Sequence, residues 1–224
     1  MEPTPWDLQG EGLMVASGWL LRAEEVEPMV PDPLEVVRVL PGRTLGGLFV
    51  SRFDLGTDAA YNELGFVPAL TRHRGTLGFF VERVFVDNPL VMGGLFDATG
   101  IERRSASFRW DAARGSVEVS TESGLVCAVR WDSRPFFLMR SQFSLPALGI
   151  ANGRVVEFDG NLSGQIGFVR VDVHLPSGGP LDLMSRKGPL WSLCIDDWQV
   201  RLSDPHAVAE SEGWLGAEWE PSPQ

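Results

Sequence analysis

The sequence predicts a mainly β protein with two or three short helices, its strands forming a closed or strongly curved sheet. Two observations carry this. Runs rich in β-branched and aromatic residues recur along the whole chain, separated at short spacing by turns drawn from 25 glycines and 16 prolines. Only a few short stretches have helix signals, and many strands so closely spaced must curve or close to bury their apolar faces.

Taken in order, residues 1–11 read as a loose lead-in and 12–22 as a strand. Residues 23–29 form an acidic helical turn that Pro31 stops. Strands follow at 34–40, with its Val-Val-Arg-Val core, and at 44–53, where glycines mark bending or close approach. After a loop at 54–60, the β pattern continues through 62–70, 76–86 and 104–110. Between the last two, Asp87-Asn88-Pro89 is a helix start, because the Asp or Asn side chain caps orphan N–H groups and proline suits the first turn. The apolar run 90–96 then reads as a short helix, weakened by Gly93-Gly94.

The second half keeps the rhythm. Residues 116–121 and 125–131 alternate around Glu122-Ser123-Gly124, a hairpin signal. Further strands are expected at 136–143, 154–158, 164–173 and 191–202, with turns at Asn152-Gly153, Asp159-Gly160 and Ser177-Gly178-Gly179. Asp196-Asp197-Trp198 places paired acids inside an apolar strand and reads as a bulge or an edge. The division expected is a lead-in at 1–11, one β domain at 12–203, and an acidic segment at 204–224. That segment is either a helix or strand docked by Trp214 and Trp219 or a tail, docking being favoured because exposed tryptophan is costly.

At 224 residues, 44% hydrophobic and 22% charged, the chain can bury a sizeable core. A net charge of −11 argues against nucleic acid or an anionic membrane as partner. No window has the length of a transmembrane helix and the first residues lack a signal peptide's features, so a cytoplasmic location is expected. Cys127 and Cys194 lie in apolar runs and read as buried small hydrophobes. His73, His174 and His206 show no ligand spacing, so neither a metal nor a cofactor is expected. No nucleophile-elbow, P-loop or dinucleotide motif is present. Lys187 is the sole lysine against 18 arginines, which we read as codon bias.

Three segments share an order and spacing with one known family. They are Val30-Pro31-Asp32-Pro33-Leu34-Glu35, then Tyr61-Asn62-Glu63, then Asp87-Asn88 followed by Arg103-Arg104. The arrangement resembles acetoacetate decarboxylase and its relatives over roughly residues 18–110. That family carries a V-P-(E/D)-P-L-E segment, a Tyr-x-Glu whose glutamate lies in the active site, and a Pro-Lys-Lys step. Its first lysine forms the Schiff base and the second lowers the pKa of the first. Counted from Asp87-Asn88, the two lysines fall on Arg103 and Arg104, and the proline on Glu102. The resemblance implies a β-cone or barrel with an interior site, and an oligomer.

The departures are as informative. A guanidinium stays protonated and cannot form a Schiff base, so Arg103 does not replace the lysine. The family's Gly-Arg-Glu becomes Leu95-Phe96-Asp97, and its second active-site glutamate falls in the apolar run 46–50. The scaffold is expected to be kept and the covalent chemistry lost.

The resemblance therefore implies Glu63 as general acid or base and Arg103 as the group that binds a carboxylate or developing enolate. Arg104, Tyr61, Asp97 and Phe80 are the expected substrate contacts, with Phe79 and Phe85 as further lining. The bland readings stand beside these: arginines flanking an edge strand, a loop glutamate, and a helix cap at Asp97. The function expected is binding or conversion of a small organic acid or carbonyl compound, as a lyase-like enzyme without a Schiff base. A non-catalytic ligand-binding or scaffold protein is the alternative. A third reading gives Lys187, beside Arg186, the Schiff-base role.

Overall fold

A computed structural model describes residues 7–8, 11–55, 60–88, 97–111, 113–132, 135, 138–179, 181–185 and 187–208. The chain begins with β1 (Asp7–Leu8) and β2 (Glu11–Arg22), then α1 (Ala23–Val26) and a 3-10 turn (Glu27–Met29). Next come β3 (Glu35–Val36), β4 (Arg43–Leu55), β5 (Tyr61–Val67), β6 (Ala69–His73), β7 (Thr76–Phe80) and β8 (Arg83–Val86). A 3-10 turn (Asp97–Thr99) leads to β9 (Glu102–Ser105), β10 (Ser107–Asp111), β11 (Ser116–Thr121) and β12 (Gly124–Trp131). The rest is β13 (Leu138–Ala151), β14 (Arg154–Phe168), β15 (Val171–His174), β16 (Trp191–Leu202) and β17 (His206–Ala207).

The strands form two sheets. The larger runs β3-β6-β7-β13-β14-β16-β2-β4-β5-β8-β9, with β1 beside β16 and β17 beside β14; the smaller runs β10-β11-β12-β15. Period-two alternation sorts their faces. In β11, Val117 and Val119 are buried while Glu118 between them is exposed. The main core joins Val15, Trp19, Leu48, Val50, Leu64, Phe66 and Phe85 of the large sheet to Val117, Val119, Val126, Cys127 and Val129 of the small one. Burial of each such side chain stabilises by roughly 1.5–3 kcal/mol before entropy is counted. Cys127 and Cys194 are both free and buried, as expected.

The expected closure into a cone or barrel is not found. The large sheet is open among the described residues, ending at β3 on one side and β9 on the other. β3 is two residues long and pairs only with β6, while β9 pairs only with β8, in parallel. Strand number and turn spacing are local properties, whereas closure needs the first and last strands to hydrogen-bond to each other.

Smaller differences have equally local causes. The strand expected at 62–70 breaks at Pro68, which lacks an N–H for the ladder, into β5 and β6. The Asn152-Gly153 turn is present, both residues at positive φ (51° and 72°), and closes the long β13–β14 hairpin. Asp159-Gly160 is instead mid-strand in β14, paired with Pro146 and Leu145. The helix expected at 90–96 lies outside the described residues.

The paired acids of β16 do mark a bulge. Ser163 faces Gln199 and Gln165 faces Asp196, so Gly164 alone opposes the two residues Asp197 and Trp198. Asp197 has φ 48° and its carboxylate pairs with Arg140. The extra residue switches the strand's parity, so that Trp191, Leu193 and Ile195 before it and Trp198, Val200 and Leu202 after it border one cavity.

Candidate functional site

The site is built on β5, where Tyr61 and Glu63 are two residues apart and so share a face. Across the β4–β5 ladder Tyr61 pairs with Phe53 and Glu63 with Ser51. On the other side Glu63 pairs with Val86 of β8, and Val84 of β8 pairs with Arg103 of β9. The alternation puts Val84, Glu63 and Arg103 on the cavity side, and all three border it. Arg104, one residue on, has the opposite parity.

The face of the large sheet turned away from the main core lines a cavity of about 400 Å³. Glu63 and Arg103 are the charged residues among those bordering it; most of the rest are apolar, including Phe49, Phe79, Phe143, Phe158 and Leu162. Leu145 and Trp191 border it while remaining 40% and 38% exposed, which puts them at its mouth.

Electrostatics couple Tyr61, Glu63 and Arg103, although Tyr61 does not itself border the cavity. Burial pushes the Glu63 carboxyl up from its ordinary value near 4.5 to about 7, against the opposing pull of the Arg103 charge and the Ser51 hydroxyl. The Ser51 contact is weak, since its Oγ makes no well-formed hydrogen bond. Tyr61 is held well above the usual phenol value, first by burial and then by the Glu63 charge, with Arg103 opposing. Its phenol therefore stays protonated at neutral pH. Tyr61 Oη and Trp198 Nε1 are both buried without a hydrogen-bond partner among the described residues. The Tyr61 ring stacks on Phe53 at 4.3 Å, and Phe53 in turn lies 4.8 Å from Trp198.

Asp87 positions this strand, a role the sequence reading missed. Its Oδ1 accepts from the Asn62 backbone N–H at 2.8 Å and its Oδ2 from Asn62 Nδ2 at 2.6 Å. Asn88 Nδ2 donates to the Ala60 carbonyl at 3.2 Å. The Asp-Asn pair thus clamps the segment that carries Tyr61 and Glu63. The dipeptide was visible in the sequence, but its polar side chains suit a helix cap equally well.

The other expected contacts fall elsewhere. Arg104 is exposed and its Nε donates to Glu102 Oε1 at 2.8 Å. Phe80 packs with Leu34, Leu148 and Val155 on the far side of its strand, leaving Phe79 at the cavity. Phe85 belongs to the main core. Asp97 opens the 3-10 turn, and its side chain lies outside the described residues. That turn is seated by close backbone approach, since a Cβ on Gly149 would fall 1.9 Å from the Thr99 carbonyl oxygen. Lys187 is exposed and its carbonyl accepts from Trp19 Nε1 at 2.8 Å; it does not border the cavity.

No group of metal-ligating side chains occurs among the described residues. None of their helices is long and apolar enough to cross a membrane.

No known family model matches the chain, and no curated protein does. Solved structures do. An acetoacetate decarboxylase from Legionella pneumophila superposes with a TM-score of 0.67 at 12% identity, over 90% of this chain and 86% of that one. The fold is acetoacetate decarboxylase-like. An acetoacetate decarboxylase-like enzyme from Sphingomonas wittichii RW1 gives 0.60 at 16% identity, over 91% of this chain and 93% of its own. The enduracididine biosynthesis enzyme MppR, complexed with the condensation product of pyruvate and imidazole 4-carboxaldehyde, gives 0.60 at 14% identity over 93% and 92%. At these identities the acetoacetate decarboxylase-like likeness is one of fold.

Proposed function

We propose that the cavity binds an organic acid or carbonyl compound and enolises it without a Schiff base. The observation that carries this reading is a carboxyl group, Glu63, brought to about pH 7 by burial while bordering an apolar cavity beside Arg103. A base with a pKa near the working pH is half ionised there and still basic enough to remove a proton. Glu63 takes a proton from the carbon next to the ligand's carbonyl, the C–H electron pair becomes the C=C bond as the carbonyl π pair moves to oxygen, and the Arg103 charge stabilises the resulting enolate. Return of the proton completes an exchange. With a 3-oxo acid the same enolate forms instead by loss of carbon dioxide, the C–C pair moving into the carbonyl, and Glu63 in its acid form then protonates the carbon.

The fold likeness supports this choice of ligand class, and MppR, seen with pyruvate, supports including 2-oxo acids. The test is deuterium exchange at the α-carbon of acetoacetate, longer 3-oxo acids, methyl ketones and pyruvate in D₂O, followed by NMR. The expected result is exchange above background that rises through about pH 7 and falls on the order of 100-fold in Glu63→Gln. Equal rates in wild type and Glu63→Gln, or background rates with every compound, would overturn it. Saturable binding with no exchange would favour the non-catalytic ligand-binding alternative.

A further inference from the structure

The cavity is far larger than a four-carbon acid needs, and its apolar part extends away from its charged part. A water-sized or methylene-sized group takes about 30 Å³, so a cavity of about 400 Å³ has room for roughly a dozen such groups. Glu63 and Val67 both border it, four residues apart on β5, as do Phe49 and Leu45 on the neighbouring β4. Ser51 is the ladder partner of Glu63, so at about 3.3 Å per residue the reach is roughly 13 Å to Val67 and roughly 20 Å to Leu45. The volume rather than the reach therefore limits the chain, to about ten carbons and two oxygens. The charged groups lie at one end of this reach. There too is Trp198, whose indole borders the cavity while its Nε1–H is buried.

We infer that the natural ligand is an amphipathic acid or ketone with an unbranched hydrocarbon chain of about eight to ten carbons. Its oxygen-bearing end lies at Glu63 and Arg103, and its chain runs towards Leu45 and Val67. The inference deepens the proposed function and rests on it for the position of the polar end. The chain itself is recognised only by burial, so affinity tracks length until the cavity is full.

Calorimetric titration with straight-chain saturated acids from butanoate to tetradecanoate, all below their micelle thresholds, tests this. Each added methylene is expected to strengthen binding about fourfold up to about ten carbons, after which the gain stops. Val67→Phe is expected to move that break to a shorter acid, and Arg103→Leu to weaken every acid by a similar factor without altering the slope. Affinity independent of chain length, strongest binding by butanoate, or a gain continuing unbroken through tetradecanoate would overturn the inference. The last of these would indicate adsorption at an apolar surface. The wild-type series decides the matter even where a variant fails to fold. The two readings fail separately: a length-dependent break without α-carbon exchange removes the enolisation, whereas exchange of short acids with a flat length dependence removes only the hydrocarbon chain.

Discussion

Glu63 and Arg103 act on each other across an intervening strand: β8 lies between β5 and β9, and both side chains emerge on the cavity side of it. Adjacent strands are about 4.8 Å apart, so only a long side chain such as arginine bridges two spacings. The valine at position 84, paired with Arg103, and that at 86, paired with Glu63, keep the space between them apolar. In that setting the carboxyl stays half protonated near neutrality despite a neighbouring cation.

Glu63 should make stability fall with rising pH. Its folded value near 7 exceeds its ordinary value near 4.5, so the native state holds more protons than the unfolded chain between those limits. Its favourable contribution is complete below about pH 4.5 and is lost as pH rises through about 7. Glu63→Gln should remove this fall and be the more stable protein at pH 8, by up to about 3 kcal/mol. Urea unfolding at pH 5 and pH 8 measures it; parallel pH profiles for the two proteins would count against the burial of this carboxyl.

Arg103→Met should raise the Glu63 value further above 7, because the one favourable charge on the carboxylate is removed while burial persists. Carboxyl-carbon NMR titration reads this directly. An unchanged or lowered value would mean that the guanidinium does not act on Glu63.

Asp87→Ala should lower stability by about 1–3 kcal/mol, since Asn62 loses two hydrogen bonds to a carboxylate. Asp87→Asn keeps one acceptor oxygen and should recover part of the loss. If Asp87 positions the site, α-carbon exchange falls in Asp87→Ala even at temperatures where the protein remains folded.

Gly164→Ala tests the bulge that turns Trp198 to the cavity. A Cβ there would lie 2.8 Å from Ile195 Cγ2 and 3.0 Å from both the Asp196 carbonyl oxygen and the Trp198 Cα. Two of these neighbours are backbone atoms and cannot swing away, so a loss of about 1–3 kcal/mol is expected, with a changed near-ultraviolet tryptophan signal. Full stability with an unaltered signal would show that the bulge tolerates a side chain.

Much of this architecture is legible in the chain because its signals are local. Asn152-Gly153 closes a hairpin since asparagine and glycine tolerate positive φ, and Val117 and Val119 alternate with Glu118 because a strand has two faces. Tyr61 and Glu63 share a face for the same reason. The choice between Arg103 and Arg104, or between Phe79 and Phe80, is of another kind. Each pair occupies consecutive positions on one strand, so one member must face the cavity, but which one depends on the register against β8 or β13.

Local pattern thus specifies a mainly β chain, its turns and short hairpin, and the paired acids that mark a bulge, and it places Tyr61 and Glu63 on one face of a strand. Long-range pairing sets the rest: the large sheet is open among the described residues, Arg104 and Phe80 turn away from the cavity, and Asp87 clamps Asn62. The physical reason is range. Turn propensity and alternation act within a few residues, whereas register and sheet closure are set by hydrogen bonds between strands far apart in the chain, whose partners no local pattern names.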